Sequence, residues 1–240
     1  MKHYGLIGYP LSHSFSSSFF QQKFERKRID ASYRNFEITS LDELSELIDS
    51  QQLDGFNVTI PFKQKIIPWL TSLDVTATQI QAVNCVKVHH GKLHGYNTDC
   101  IGFENSLLPL LKDQIKALVF GTGGASLAII YVLQKHQIPF LRVSRNEIAN
   151  SISYADINQQ LLQNYKLLIN CTPLGMFPHT EEVLPIPYSW INDSHVAYDL
   201  IYNPEKTSFL QFCEAKGATI KNGLEMLQIQ AEAAYQHFIN

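Results

Sequence analysis

The segment ALVFGTGGAS, residues 117–126, runs from an apolar stretch straight into a turn built from Gly121, Thr122, Gly123, Gly124 and Ala125. Ser126 then opens a stretch with apolar residues at helical spacing. Strand, sharp glycine turn and helix in that order form the first half of a βαβ unit. The glycines let the backbone approach a pyrophosphate, and the amides at the helix N-terminus supply the positive end of a dipole. The pattern departs from G-x-G-x-x-G in its third position, where Leu127 or Ala128 stands. A merely structural turn is the alternative to dinucleotide binding.

Downstream of this turn the alternation continues. A helix is expected from about Ala125 to His136, then the strand FLRVSR, a polar helix near 155–163, the strand KLLINC and the strand VAYDLI. TSFLQFCEAKG reads as a helix closed by glycine, and GLEMLQIQAEAAYQHF as a last helix with apolar residues at helical spacing. Upstream lie HYGLIG and a helical 15–28, YRNFEI and LDELSELIDS, then GFNVTI and a short helix after Pro61. In AVNCVKVHHGKLHGYN two β-rich arms flank His90-Gly91, which predicts a hairpin added antiparallel at a sheet edge. The fold class is therefore α/β. Two α/β domains, dividing near residue 100 with helix 99–111 as connector, flank a cleft, and the second carries a Rossmann-type dinucleotide site. Small molecules bind in such clefts at the carboxyl ends of strands.

Composition excludes several classes of function. Hydrophobic residues make up 45%, charged ones 17%, and the net charge is −3, which describes an ordinary globular chain of 240 residues. Nothing recommends nucleic acid as a partner, and no window reaches the roughly 20 apolar residues of a membrane span. The start, MKHYGLIGYPLSHS, has too short an apolar run for a signal peptide, so a cytoplasmic location is expected. Cys85, Cys100, Cys171 and Cys213 are widely spaced in apolar contexts and read as reduced, mostly buried thiols. His89, His90 and His94 flank the hairpin turn and read as surface residues, so no metal is expected.

The strand after the glycine turn bears on the choice of cofactor. An acidic residue at its end would accept the ribose hydroxyls of NAD, whereas a basic one would pair with a 2′-phosphate. Here it ends Val143-Ser144-Arg145-Asn146. Arg145 favours NADP, with Ser144 or Asn146 adding hydrogen bonds. Glu147, just beyond, could repel a phosphate, and Arg145 as a solvated loop charge is the alternative.

Three strand ends of the first half carry polar residues where apolar ones would serve packing: Ser12-His13-Ser14 with Ser16, Asn57 and Thr59 with Lys63, and Asn84. Asn97-Thr98-Asp99 then closes the half. Converging at one rim, they would suit a small polyhydroxylated anion, with Lys63 paired to Asp99. Taken singly, Ser14 could cap the following helix, Asn97 or Asp99 could cap helix 99–111, and Lys63 could be plain surface.

The ordered set SHSFS (12–16), NVTIPFK (57–63), AVN (82–84), NTD (97–99), GTGGAS (121–126), NCTPLGM (170–176), YDLIYNP (198–204) and GLEMLQIQA (223–231) resembles the shikimate dehydrogenase family from first strand to last helix. That family reduces 3-dehydroshikimate to shikimate with NADPH, on the way to chorismate and the aromatic amino acids. The resemblance implies a substrate-binding catalytic domain from residues 1–100 plus 224–240 and an NADP-binding domain from 101–223. It implies that Ser14 and Ser16 hold the substrate carboxylate, that Thr59, Asn84, Asp99 and Gln230 bind ring hydroxyls, and that Tyr202 lies beside the ring. Lys63 is then the acid/base residue, paired with Asp99. Residues 121–125 cradle the pyrophosphate, Arg145 faces the adenosine phosphate, and Leu200 with Gly223 lines the nicotinamide pocket. The implied partner is the small-molecule substrate, with the chain a monomer or homodimer.

Some positions depart from the family pattern. Cys85 stands where the family commonly has threonine, Ser144-Arg145-Asn146 replaces asparagine-arginine-threonine, and Ala149 stands where a second arginine often sits. The chain also ends soon after Gln230, without the longer terminal helices of many relatives. Two rivals remain: a quinate/shikimate dehydrogenase of the same fold working with NAD, and a catalytically inactive cofactor-binding regulatory homologue.

Overall fold

The computed structural model describes residues 1–11, 15–111, 115–146 and 150–240. It divides into two compact units, Met1–Ile101 with Ile229–Asn240, and Gly102–Gln228. Both are α/β, as the alternation predicts.

The first unit runs β1 (Lys2–Gly8), α1 (Phe15–Lys27), β2 (Ala31–Glu37), α2 (Leu44–Gln51), β3 (Gly55–Val58), β4 (Ser72–Leu73), α3 (Val75–Ile80), β5 (Cys85–His89) and β6 (Lys92–Tyr96). Its sheet order is β2-β1-β3-β5-β6-β4. β1 pairs in parallel with β2 and β3, while β5 is antiparallel to both β3 and β6. His90 and Gly91, with φ of 51° and 71°, make the β5–β6 turn, so the predicted hairpin forms with both turn residues left-handed. It does not end the sheet, because the two-residue β4 pairs with β6 beyond it. Period-2 alternation splits the strands between two apolar faces. Ile7, Phe56, Val58 and Val86 belong to one cluster, and Tyr4, Leu6, Tyr33 and Cys85 to another. The C-terminal part of the last helix adds Ala231, Ala234, Tyr235 and Phe238 to the second cluster.

α4 (Asp99–Leu107) crosses from the first unit into the second. The second unit continues with β7 (Ala117–Phe120), α5 (Gly124–Lys135), β8 (Phe140–Val143), β9 (Ser151–Ile152), α6 (Gln159–Asn164), β10 (Leu167–Asn170), β11 (Val196–Asp199), α7 (Ser208–Glu214), β12 (Thr219–Lys221) and the start of α8 (Leu224–Ile239). The sheet is parallel throughout, in the order β12-β11-β10-β7-β8-β9. Such a sheet is covered on both faces, and every residue of β7, β10 and β11 is buried.

Three expectations need correction. No α-helix follows Pro61 directly: the chain makes turns to a short 3₁₀ segment, Ile67–Trp69, and the helix forms at α3, where the Asp74 carboxylate accepts the Ala77 amide at 2.7 Å. The helix expected over 99–111 stops at Leu107 and tightens into a 3₁₀ turn containing Pro109. The polar helix near 155–163 is a 3₁₀ turn, Tyr154–Asp156, followed by α6, whose cap is Asn158.

Candidate active site

In the first unit, β3 and the turn after it carry Asn57, Thr59 and Lys63 to one end of the sheet. Alternation turns Asn57 away from Phe56 and Val58, toward the face of Tyr33. Thr59 is anchored by its amide on the Ile7 carbonyl at 2.9 Å, and the Phe62 amide bonds back to the Thr59 carbonyl at 2.9 Å. That turn delivers Lys63, whose own carbonyl accepts the Val83 amide at 2.7 Å. Half-buried Thr59 sits tight against β1, since a Cβ on Gly8 would fall 2.4 Å from Thr59 Cγ2.

Lys63 Nζ lies 2.6 Å from Asp99 Oδ2, with side-chain exposures of 18% and 8%. Asn84 Nδ2 donates to the other carboxylate oxygen at 2.8 Å and lies 2.9 Å from Thr98 Oγ1. The Thr98 hydroxyl donates to Gln230 Oε1 at 3.2 Å, and the Thr98 amide donates to Asn84 Oδ1 at 2.7 Å. Asn97 takes the capping role, its Oδ1 accepting the Cys100 amide at 3.2 Å. Asp99, the first residue of α4, is thereby left to face Lys63 and Asn84. Lys63, Asn84, Asp99 and Gln230 are thus brought together in one cluster.

Ser16 on α1 is buried. The Tyr33 hydroxyl donates to Asn57 Oδ1 at 2.8 Å, and Asn57 Nδ2 donates to the Asn84 carbonyl at 3.0 Å. Burial drives the Tyr33 phenol well above its ordinary pKa, so it acts as a neutral hydroxyl. Ser14, with Ser12 and His13, lies outside the described residues. Cys85, at the threonine position, is buried between β3 and β6, and burial pushes its thiol far up.

The second unit holds the candidate cofactor residues. Gly121 has φ +101°, a left-handed conformation that side chains rarely adopt, and its amide bonds to the Val143 carbonyl at 3.0 Å. Gly123 caps α5 without a side chain, and a Cβ there would meet nothing within 4 Å. The start of α5, at Gly124 and Ala125, therefore has no capping side chain, and the space where a Gly123 side chain would stand is open. That fits a dinucleotide pyrophosphate. At the end of β8, Ser144 is buried, its Oγ accepting the Asn146 amide at 3.2 Å, while Arg145 and Asn146 are exposed. Glu147 and Ala149 lie outside the described residues. Leu200 and Tyr202 stand half-buried on the loop after β11. Gly223 packs against that loop, its amide bonded to the Ile201 carbonyl at 3.0 Å.

Tyr33 and Asp199 had no role of their own in the sequence reading, and Thr98 entered it only as part of the polar run at residues 97–99. Tyr33 lies in a strand read only for its pattern. Thr98 and Asp199 lie inside quoted motifs, NTD and YDLIYNP, but gave no sign of which groups they would meet. Among the described residues no group of three histidines, cysteines or carboxylates could hold a metal ion, and no helix is long and apolar enough to cross a membrane.

Residues 6–86 match the family model for the shikimate dehydrogenase substrate binding domain. Along its whole length the chain is similar to the shikimate dehydrogenase (NADP(+)) of Staphylococcus aureus strain MRSA252, with 35% identity over 250 residues, 99% of this chain and 92% of the relative. The crystal structure of shikimate dehydrogenase from Aquifex aeolicus superposes with a TM-score of 0.90 at 33% identity, covering 100% of this chain and 92% of the other. The shikimate dehydrogenase of Thermus thermophilus, solved in complex with NADP(H) and shikimate, gives a TM-score of 0.88 at 27% identity and covers 100% of this chain and 94% of its own. With this identity across the full length and the same fold, the chain belongs to the shikimate dehydrogenase family.

Proposed function

We propose that the protein catalyses the NADPH-dependent, reversible reduction of 3-dehydroshikimate to shikimate, a cytoplasmic step toward the aromatic amino acids. The observation that carries this reading is the Lys63–Asp99 pair at 2.6 Å, with the second carboxylate oxygen held by Asn84. When bound, NADPH supplies the hydride. Lys63 supplies the proton to the oxygen that was the ketone, and Asp99 orients the ammonium while accepting a ring hydroxyl. Ser14 and Ser16 hold the carboxylate, and Thr59, Asn84 and Gln230 the remaining ring oxygens, by directional bonds that add no further full charge. Tyr202 packs beside the ring.

On the cofactor side, residues 121–125 hold the pyrophosphate, Ser144, Arg145 and Asn146 the adenosine phosphate, and Leu200 with Gly223 the nicotinamide. In this reading residues 1–100 with 224–240 form the catalytic domain and 101–223 the cofactor domain.

The test is NADPH oxidation with 3-dehydroshikimate, run beside NADH. Turnover with kcat/KM higher for NADPH is expected, and Arg145→Ala should lower that preference by about tenfold, the worth of one charge-assisted phosphate contact. Folded protein without turnover would refute the activity, and a preference for NADH would remove Arg145 from its role.

A further inference from the structure

We infer that Asp199 is a positioning residue for the nicotinamide end of the cofactor, an inference that rests on the NADPH reading above. Asp199 ends β11 with 0% of its surface exposed. Its carboxylate accepts the Thr207 hydroxyl at 2.6 Å, the Ile201 amide at 3.0 Å and Asn170 Nδ2 at 3.1 Å. All three donors are neutral, so the group is held by geometry and not by an ion pair.

The donors belong to three different segments. Asn170 ends β10, and its Oδ1 accepts both the amide of Thr172 at 2.9 Å and its hydroxyl at 2.7 Å. Thr207 caps α7. Ile201 follows Leu200, and its carbonyl takes the Gly223 amide. Gly223 is pressed so closely on this loop that an added Cβ would lie 2.0 Å from the Leu200 carbonyl oxygen. The Thr172 methyl in turn lies 3.0 Å from where a Cβ on Gly121 would stand. One buried carboxylate therefore fixes the loop carrying Leu200, the glycine packed on that loop, and the segment beside the phosphate turn. Asp199 itself reaches the cofactor only through them. Among the described residues, the adenosine side at Ser144 and Arg145 on the end of β8 takes no hydrogen bond from this network.

That separation sets the experiment. Calorimetric titration of the whole chain compares NADPH with adenosine 2′,5′-bisphosphate, which carries the adenosine phosphates without the nicotinamide half. Asp199→Ala strands three buried donors and should weaken NADPH by about tenfold or more. Binding of the bisphosphate should stay within about twofold. Should that variant not fold, Asp199→Asn keeps one oxygen and the side-chain volume, and NADPH should weaken by about threefold, again without change for the bisphosphate. Parallel weakening of both ligands would mean general damage to the unit and overturn the inference, as would no change in either. Binding of NADPH by the wild type without turnover of 3-dehydroshikimate refutes the substrate reading alone. A wild type that binds neither ligand refutes the cofactor reading and this inference with it.

Discussion

A lysine ammonium 2.6 Å from a carboxylate, with 18% of its side chain exposed, is neither a free surface charge nor a sealed ion pair. Its partner is a carboxylate whose other oxygen is already bonded to Asn84 at 2.8 Å, so Asp99 cannot turn away. In the proposed reaction that geometry makes Lys63 a proton donor at a fixed place. Lys63→Ala should therefore cut kcat by about 10² to 10³ while KM for 3-dehydroshikimate changes less. Steady-state kinetics checks this, and a rise in KM with kcat intact would make Lys63 a binding residue. The sequence left two readings open at this scale: Asn97 or Asp99 as the helix cap, and Lys63 as surface or acid. The Asn97 bond to the Cys100 amide resolves the first and bears on the second. A choice between two adjacent polar side chains depends on which way each points, and a string of residues does not carry that.

Among the elements, the long and strongly patterned ones were legible: the β7–α5 turn, the hairpin at His90-Gly91 and the apolar stripe of α8. β4, β9 and β12 were not, because strands of two or three residues are too short to display alternation and form only beside a neighbour already in place. One close contact between elements has a functional reading. Gly8 ends β1 against Thr59, and a Cβ there would fall 2.4 Å from Thr59 Cγ2 and 2.9 Å from the Ile60 carbonyl. Gly8→Ala should cost about 1–3 kcal/mol of stability by overpacking, and it should raise KM for 3-dehydroshikimate by pushing Thr59 aside. Urea melts and steady-state kinetics measure the two effects. An unchanged KM in a destabilised variant would remove Thr59 from the substrate site.

For the molecule as a whole, the buried Asp199 carboxyl sets a pH dependence of stability. Burial pushes its pKa up to about 6 from 3.8, only partly offset by the bonds from Thr207, Ile201 and Asn170. Cys171, Cys213 and Tyr188, raised by burial and further by its charge, stay neutral across this range. A carboxyl whose folded pKa lies above its unfolded value favours the folded state most when both are protonated, and the advantage is lost as pH rises from about 4 through about 6. Between those limits the native state should lose about 3 kcal/mol relative to an Asp199→Asn variant, read as a converging or crossing pair of urea midpoints. Midpoints that stay parallel from pH 4 to pH 7 would contradict it. A cost of that size at neutral pH is consistent with a carboxylate kept for position and not for stability. Fold class, the family and most of the proposed site were present in the residue string, because periodicity, glycine turns and ordered motifs are local properties that survive without coordinates. The network from Tyr33 through Asn57 to Asn84, the bonds of Thr98 and the threefold grip on Asp199 were decided only when strands distant in the chain lay side by side. Hydrogen bonds are directional and reach about 3 Å, so their partners follow from register and side-chain direction, which exist only in the folded chain.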